Sequence, residues 1–167
     1  LEPEIFHTAP MFFLSTDVPE NDHISKTICH RLYDANESTK IARYILLGKG
    51  GAKLLDVMNF ERDVYHLNEA HGLPAAFYLL KKFGGDLAKV KEKLVFTTHT
   101  PEEAGNEKHN IFMCHDMSYF SGLTIDEVKT IEGIQDDRFN HSLCALRMAR
   151  IANGVSQLHG VVSREMW

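Results

Sequence analysis

Two apolar runs in this sequence end abruptly at polar residues, and this pattern restricts the possible folds more than any other feature. Residues 64–67 lead into Asn68 and Glu69, and residues 95–98 lead directly into His99. Buried parallel strands present side chains in this way, because the carboxyl ends of neighbouring strands meet at one edge of a sheet. The pattern therefore predicts a ligand-binding edge in an α/β layer.

The segment between the two runs has the features of a helical connection. Pro74 suits the first turn of a helix, the glycines at 84–85 end that helix, and Asp86 can cap a second helix that leads to residue 95. Strand, helix and strand in this order favour parallel pairing with right-handed crossovers. We therefore expect a parallel sheet that is flanked by helices.

Apolar spacing predicts further elements on either side of this unit. Residues 11–15 and 155–158 have the pattern of short strands, and residues 24–33 have the spacing of a helix behind capping residues. Residues 161–166 begin another helix. The predicted strand at 155–158 would be the fourth along the chain.

Capping residues mark three more helices. Ser38, Thr124 and Asn140 are the predicted N-caps, and the last of these helices is predicted to close at residues 153–154. The glycine-rich string at 48–51 interrupts the first of them. Since this string lacks the preceding strand and the Ser or Thr of a phosphate-binding loop, it predicts close helix packing or a kink.

The composition is that of an ordinary globular domain and argues against several classes of function. The chain has 167 residues, enough for one domain with a sizeable core, and a formal net charge of −5. Its lysines and arginines are scattered, which argues against a surface for nucleic acid. No apolar run is long enough to cross a membrane. We expect neither nucleic acid nor a membrane as a partner.

Cysteine and histidine spacing indicates neither disulfides nor a metal. Cys29, Cys114 and Cys144 are an odd number at wide spacing, so reduced thiols in the cytoplasm are the simplest interpretation. The histidines around the strand ends lack the H-E-x-x-H spacing of zinc sites, and successive residues of a strand point to opposite faces. We therefore expect no metal site.

Three segments carry a specific resemblance to a known family. They are HLNEAH at 66–71, VFTTHTP at 95–101 and NGVSQLHGVVSREMW at 153–167. In this order they resemble the α-glucan phosphorylases, the glycogen and maltodextrin phosphorylases of the retaining glycosyltransferase type. Shorter matches extend the resemblance over nearly the whole chain, at residues 13–21, 31–33, 45–48 and 138–140.

The resemblance implies a position within a larger enzyme. Residues 1–167 would be an internal, partial N-terminal domain with a Rossmann-like sheet, belonging to a two-domain glycosyltransferase of the GT-B fold. Because the chain stops at Trp167 within a pattern that the family continues, we expect the C-terminal cofactor domain to lie outside it. That missing domain would be a partner of this one, and the resemblance also allows a homodimer of the parent enzyme.

The resemblance also implies a reaction. In the parent enzyme, inorganic phosphate would attack the terminal unit of an α-1,4-glucan and release glucose 1-phosphate. The family uses pyridoxal 5′-phosphate, held by a lysine of the second domain, and no residue here matches that lysine motif. We therefore expect no cofactor bound to this fragment, and no catalysis by the fragment alone.

The resemblance assigns roles to several residues at the predicted edge. His99 would be the catalytic-site histidine that binds the sugar in the reactive position. Asn68, Glu69 and His71 would line the same cleft, where an amide, a carboxylate and an imidazole suit sugar hydroxyls. Many family members carry Asp where this chain has Glu69.

Three further residues are candidates for substrate binding through the neighbouring loops. Thr100 and Glu103 belong to the loop after the histidine, and Asn36 lies in a loop that gates the cleft in animal relatives. Lys40, Arg43 and Tyr44 differ from the residues that are common in the family at these positions. We therefore do not expect gating or allosteric nucleotide control in this chain.

Two other classes of protein remain as alternatives. A non-catalytic carbohydrate-binding or structural module would keep the same sheet but lack a functional second half. A hydrolase is disfavoured, because no pair of carboxylates with a known separation can be placed from the sequence.

Overall fold

The chain divides into two units, residues 1–33 and residues 34–167. This division comes from a computed structural model that describes residues 5, 7–31, 34–60, 62–100, 102 and 106–167. In the first unit, helix α1 (His23–Thr27) begins where the Asp22 side chain accepts a hydrogen bond from the Ser25 N–H at 3.0 Å. The capping prediction is confirmed, but the helix is shorter than predicted.

The predicted strand at residues 11–15 is wrong. These residues have no regular structure, and the Phe13 side chain is 88% exposed. No described residue of the first unit forms a strand with which this segment could pair. An apolar run alone does not make a strand, because the backbone also needs a hydrogen-bonding partner.

A three-stranded parallel sheet lies in the second unit, as predicted. Strands β1 (Tyr65–Asn68), β2 (Leu94–Thr98) and β5 (Ile151–Gly154) pair in the order β1-β2-β5. Two further strands, β3 (Lys108–Asn110) and β4 (Arg138–Asn140), form an antiparallel pair that the sequence analysis did not predict.

Eight α-helices of the second unit are described, and three of the four N-caps predicted for them are confirmed. Asp86 and Asn140 cap helices as predicted, and Thr124 forms a capping box with Glu127. Ser38 is not an N-cap; Asn36 takes that position and accepts from the Thr39 N–H at 3.0 Å. The helices are α2 (Glu37–Ile45), α3 (Gly51–Val57), α4 (Pro74–Lys82), α5 (Leu87–Lys93), α6 (Ile111–Asp116), α7 (Ile125–Glu132), α8 (His141–Met148) and α9 (Gln157–Met166).

The boundaries of the last three elements differ from the prediction. Residues 153–154 end strand β5 instead of closing a helix, since α8 already ends at Met148. The predicted strand at 155–158 is therefore wrong. Ser156 caps α9, its hydroxyl accepting from the His159 N–H at 3.2 Å, so the helix begins earlier than predicted.

A π-helical turn at Leu46–Gly50 joins α2 to α3. At Gly48 an added Cβ would lie only 2.6 Å from the Gly72 carbonyl oxygen and 2.8 Å from the Ala75 nitrogen, so only glycine permits this approach. The prediction of close packing at the glycine string is confirmed.

Aromatic side chains from helix α4, from the turn after α6 and from β4 pack together in the core. Phe77 of α4 packs edge-on against Phe120 at 5.1 Å between ring centroids, and Phe120 packs against Phe139 of β4 at 4.9 Å. All three rings are buried. Phe96 of β2 is buried as well, whereas Asn68 and His99 at the strand ends are exposed.

Asp56 of α3 connects helix α4 to the segment that precedes β1. Its carboxylate accepts hydrogen bonds from Tyr78 and Lys82, each at 2.9 Å, and from Arg62. Burial raises the pKa of Asp56, but the hydrogen bonds from Lys82 and Tyr78 outweigh it and leave the pKa below its usual value. The Arg62 side chain also donates to the Tyr65 hydroxyl at 2.7 Å, which fixes the first residue of β1.

Candidate functional site

His99 and Asn68 meet at the carboxyl end of the sheet. Parallel pairing sets Asn68 opposite Thr97, so the residue that follows β2 lies beside the last residue of β1. The His99 Nε2 hydrogen-bonds with the Asn68 Oδ1, and both side chains are exposed. Since a carbonyl oxygen only accepts, Nε2 carries the proton and Nδ1 keeps a lone pair for a ligand.

Glu69 directly follows β1, and its side chain reaches His99 from a strained backbone conformation. Its φ is 61° and its ψ is 173°, a region that residues other than glycine rarely adopt. Its carboxylate accepts from the His99 backbone N–H, and its own N–H donates to the Thr97 carbonyl at 2.9 Å. Such strain costs on the order of 1–3 kcal/mol and is common at ligand sites.

The other candidate residues take less direct positions. His71 follows in a 3₁₀ turn, Ala70–Gly72, and its exposed ring packs against Tyr44 at 5.0 Å between centroids. Thr100 is half-buried directly after His99. The Asn36 side chain caps α2, so its oxygen is already an acceptor within the protein. Glu103 lies outside the described residues.

A second line of polar side chains crosses all three strands, and sequence reasoning missed it. The Thr97 hydroxyl donates to the Asn153 Oδ1 at 2.9 Å and accepts from the His66 Nε2 at 2.7 Å. This line ties the end of β5 to the edge that carries His99. Placing β5 at residues 151–154 would have revealed it, because Asn153 then pairs with Thr97.

A cavity of about 300 Å³ adjoins this edge between β5 and α9. Thr98, Asn153 and Gly154 line it from the strand ends, and Arg164 and Trp167 line it from the helix. The Thr98 hydroxyl is buried and has no hydrogen-bond partner among the described residues. The cavity is at the lower end of the range for small-ligand pockets.

Two histidines that sequence reasoning did not single out lie buried behind His71. The His109 Nδ1 and the His141 Nε2 are 2.8 Å apart, and the His141 Nδ1 lies 2.8 Å from the Tyr119 hydroxyl. Burial lowers the pKa of His141 to about 3 and lowers the pKa of His109 as well, so both rings are neutral at pH 7.

The described residues include neither a metal site nor a membrane span. No group of three or more His, Cys, Asp or Glu side chains in this part of the chain is arranged to hold a metal ion. Likewise, none of the described helices combines the length and the apolar character that crossing a membrane requires.

Comparison with known proteins relates the chain to one group of enzymes. It is 37% identical to the maltodextrin phosphorylase of Thermococcus litoralis over 166 residues, and 33% identical to the glycogen phosphorylase of Mycobacterium tuberculosis over 183 residues. These matches cover 94% and 95% of this chain. The chain is homologous to part of the α-glucan phosphorylases. The resemblance found in its motifs is therefore confirmed.

The chain spans only about a fifth to a third of these relatives. It covers 20% of the maltodextrin phosphorylase and 21% of the glycogen phosphorylase. All 167 residues also match an uncharacterized protein of Methanocaldococcus jannaschii at 42% identity, covering 31% of that protein. No protein-family model matches the chain. The relationship to the α-glucan phosphorylases thus applies to a segment of those proteins.

Proposed function

We propose that this chain forms part of the N-terminal domain of an α-glucan phosphorylase of the GT-B fold and contributes the sugar-binding edge of its active-site cleft. The parent enzyme would release glucose 1-phosphate from α-1,4-glucans by phosphorolysis. The observation that carries the proposal is the convergence of His99, Asn68 and Glu69 at the carboxyl ends of two parallel strands. The names of the relatives support the class of substrate.

The chemistry of this edge suits a neutral, hydroxyl-rich ligand. Asn68 holds the His99 ring with Nε2 protonated, so Nδ1 is left to accept a hydrogen bond from a sugar hydroxyl. The Asn68 amide can donate, and the second oxygen of Glu69 can accept. These groups are held on strand ends, where little ordering remains to be done when a sugar binds.

Pyridoxal phosphate would be held outside this chain. None of its lysines is buried, and Lys40, Lys82 and Lys129 are in ion pairs with carboxylates. This exposure and pairing support a cofactor site in another part of the enzyme. In this proposal the present segment binds and orients the sugar, and the missing part of the enzyme supplies the cofactor and the phosphate site.

An exposed apolar face fits a role within a larger enzyme. Leu158 on α9 is 74% exposed, Val161 on the same helix is 45% exposed, and Ile151 on β5 is 50% exposed. Leu158 and Val161 are three positions apart and therefore lie on the same side of α9, and an exposed apolar surface of this kind marks a site that another element covers. We take this face as the side on which the rest of the N-terminal domain would pack.

Replacing His99 in the full-length protein tests the proposal. We expect His99→Ala to lower the rate of glucose 1-phosphate formation from maltooligosaccharide and phosphate by about 100-fold, because a preorganised contact to the reacting sugar is lost. Pyridoxal absorbance should be unchanged. His115→Ala, which alters an exposed imidazole on α6, is the control and should keep normal turnover. Near-normal turnover of the His99 variant would refute the assignment.

A further inference from the structure

Glu107 brings together three groups from two elements. Its Oε1 accepts from the Lys40 ammonium at 2.8 Å, and its Oε2 accepts from the Tyr44 hydroxyl. The His109 Nε2 lies 3.9 Å from the same Oε2. Lys40 and Tyr44 belong to α2 and His109 to β3, so one half-buried carboxylate joins that helix to the segment after His99.

The carboxylate of Glu107 also sets the direction of the buried hydrogen bonds. A negative oxygen near the His109 Nε2 favours a proton on that atom, which leaves the His109 Nδ1 as an acceptor. His141 then donates from Nε2 and accepts from the Tyr119 hydroxyl at Nδ1. Each ring is neutral in this arrangement, and every polar atom of the pair faces a suitable partner.

Tyr44 connects Glu107 to the turn beside the candidate sugar site. Its ring packs against His71 at 5.0 Å between centroids, while its hydroxyl is held by Glu107. One helical turn later, Gly48 lies against the Gly72 carbonyl. Residues 44 and 48 together therefore contact the short turn that follows Glu69.

That turn needs support from outside because of its backbone. Glu69 has a φ of 61°, and a strained residue persists only where the surrounding structure holds it. Two hydrogen bonds hold Glu69 from the β2 side, and the contacts of Tyr44 and Gly48 hold the residues that follow it. A loss of the Tyr44 contact would release the turn at His71.

We propose that Glu107 is a positioning residue for sugar binding, which holds Tyr44 against His71 and so keeps the Glu69 turn in its strained, binding-competent form. The inference rests on the proposed function for its consequence in catalysis. Glu107 does not touch the sugar in this scheme. It acts through the Tyr44 hydroxyl and ring.

A double-mutant cycle in the full-length protein tests this role. We expect Glu107→Ala and Tyr44→Phe each to lower kcat/KM for maltooligosaccharide phosphorolysis by about tenfold, the size of a charge-assisted hydrogen bond. The double variant should be no worse than either single variant, because both remove the same bond. Additive losses would overturn the proposal.

Hydrogen–deuterium exchange gives a readout that is independent of activity. Peptides that cover residues 68–73 should exchange faster in Glu107→Ala and Tyr44→Phe than in the unaltered protein. Asp137→Asn, which breaks the Lys129–Asp137 ion pair of 2.7 Å, is the matched control and should leave these peptides unchanged. Unchanged exchange in both test variants would refute the positioning role.

The two readouts separate the inference from the proposed function. Faster exchange at residues 68–73 together with full turnover of His99→Ala would contradict the sugar site but keep the positioning of the turn. Tyr44→Phe removes a single hydroxyl, so it keeps the test available if Glu107→Ala fails to fold. Glu107→Gln retains an acceptor for the Tyr44 hydroxyl and should restore most of the activity.

Discussion

The edge around His99 and the cluster around His141 use the same side chain in opposite ways. At the edge, an exposed imidazole has one nitrogen bonded to Asn68 and the other open to a ligand. In the cluster, His141 is 3% exposed and both of its nitrogens are hydrogen-bonded. The first arrangement leaves binding capacity unused, whereas the second uses all of it for the fold.

Backbone strain separates the two regions as well. Glu69 at the edge has a left-handed φ, while Asn140 and His141 continue from strand β4 directly into helix α8. Local strain of this kind is common at ligand sites, and it persists where the surrounding structure holds the residue in place. We therefore expect substitutions in the cluster to affect stability and those at the edge to affect mainly function.

The largest expected effect comes from removing the central imidazole of the cluster. His141→Ala leaves the Tyr119 hydroxyl and the His109 Nδ1 unpaired in the core and opens a cavity, so the free energy of unfolding should fall by about 3–4 kcal/mol. His99→Ala should change it by less than about 0.5 kcal/mol. Urea denaturation at pH 7.5 measures both. Equal losses would remove the contrast between the two regions.

Acid should destabilise the cluster next most strongly. The pKa of His141 is about 3 in the fold against an ordinary value of 6.5, so the unfolded chain binds the proton first and stability falls as pH drops below 6.5. Between pH 6.5 and pH 5, His141 alone should lower the free energy of unfolding by about 1.5 kcal/mol.

The control for this pH dependence is a variant without the buried imidazole. His141→Phe should remove the His141 share of the dependence between pH 6.5 and pH 5 and leave the share that the lowered pKa of His109 contributes. An undiminished slope in His141→Phe would assign the acid sensitivity to another group.

The smallest expected effect isolates the strain at Glu69. Glu69→Gly and Glu69→Ala both lose the carboxylate, so their difference reports the backbone, and the glycine variant should be more stable by about 1 kcal/mol. At Glu165, in the last turn of helix α9, the alanine variant should instead be the more stable of the same pair. Thermal denaturation compares the four variants. A less stable glycine variant at position 69 would show that the turn is not strained.

The sequence allowed the edge of the sheet to be predicted because its signals are local. Apolar runs that end at polar residues, Pro74 at a helix start and Asp86 at an N-cap each act within a few residues of themselves. The position of β5 was not predictable in this way. The apolar spacing of α8 continues through Ile151, so the sequence alone predicts that the helix extends to residues 153–154. Pairing with β2 makes residues 151–154 a strand instead.

Contacts between distant residues set the limit of the sequence analysis. His109 and His141 are 32 positions apart, and Glu107 is 67 positions from Lys40. Nothing in either segment indicates that its partner exists, since polar residues of this kind are usually exposed. The antiparallel pair β3 and β4, which brings the two histidines together, was not predicted for the same reason.

The π-helical turn at Leu46–Gly50 allows this segment to vary in length by one residue between related chains. Such a turn holds one residue more than an α-helical turn, so deleting a residue there would leave an unbroken α-helix. Because the wider turn absorbs the extra residue, the helix downstream would keep Ala52 on its buried side. Gly48 must itself remain, because a side chain there would meet the Gly72 carbonyl. A related chain that is one residue shorter in this turn is therefore expected to keep both the glycine and the packing around it.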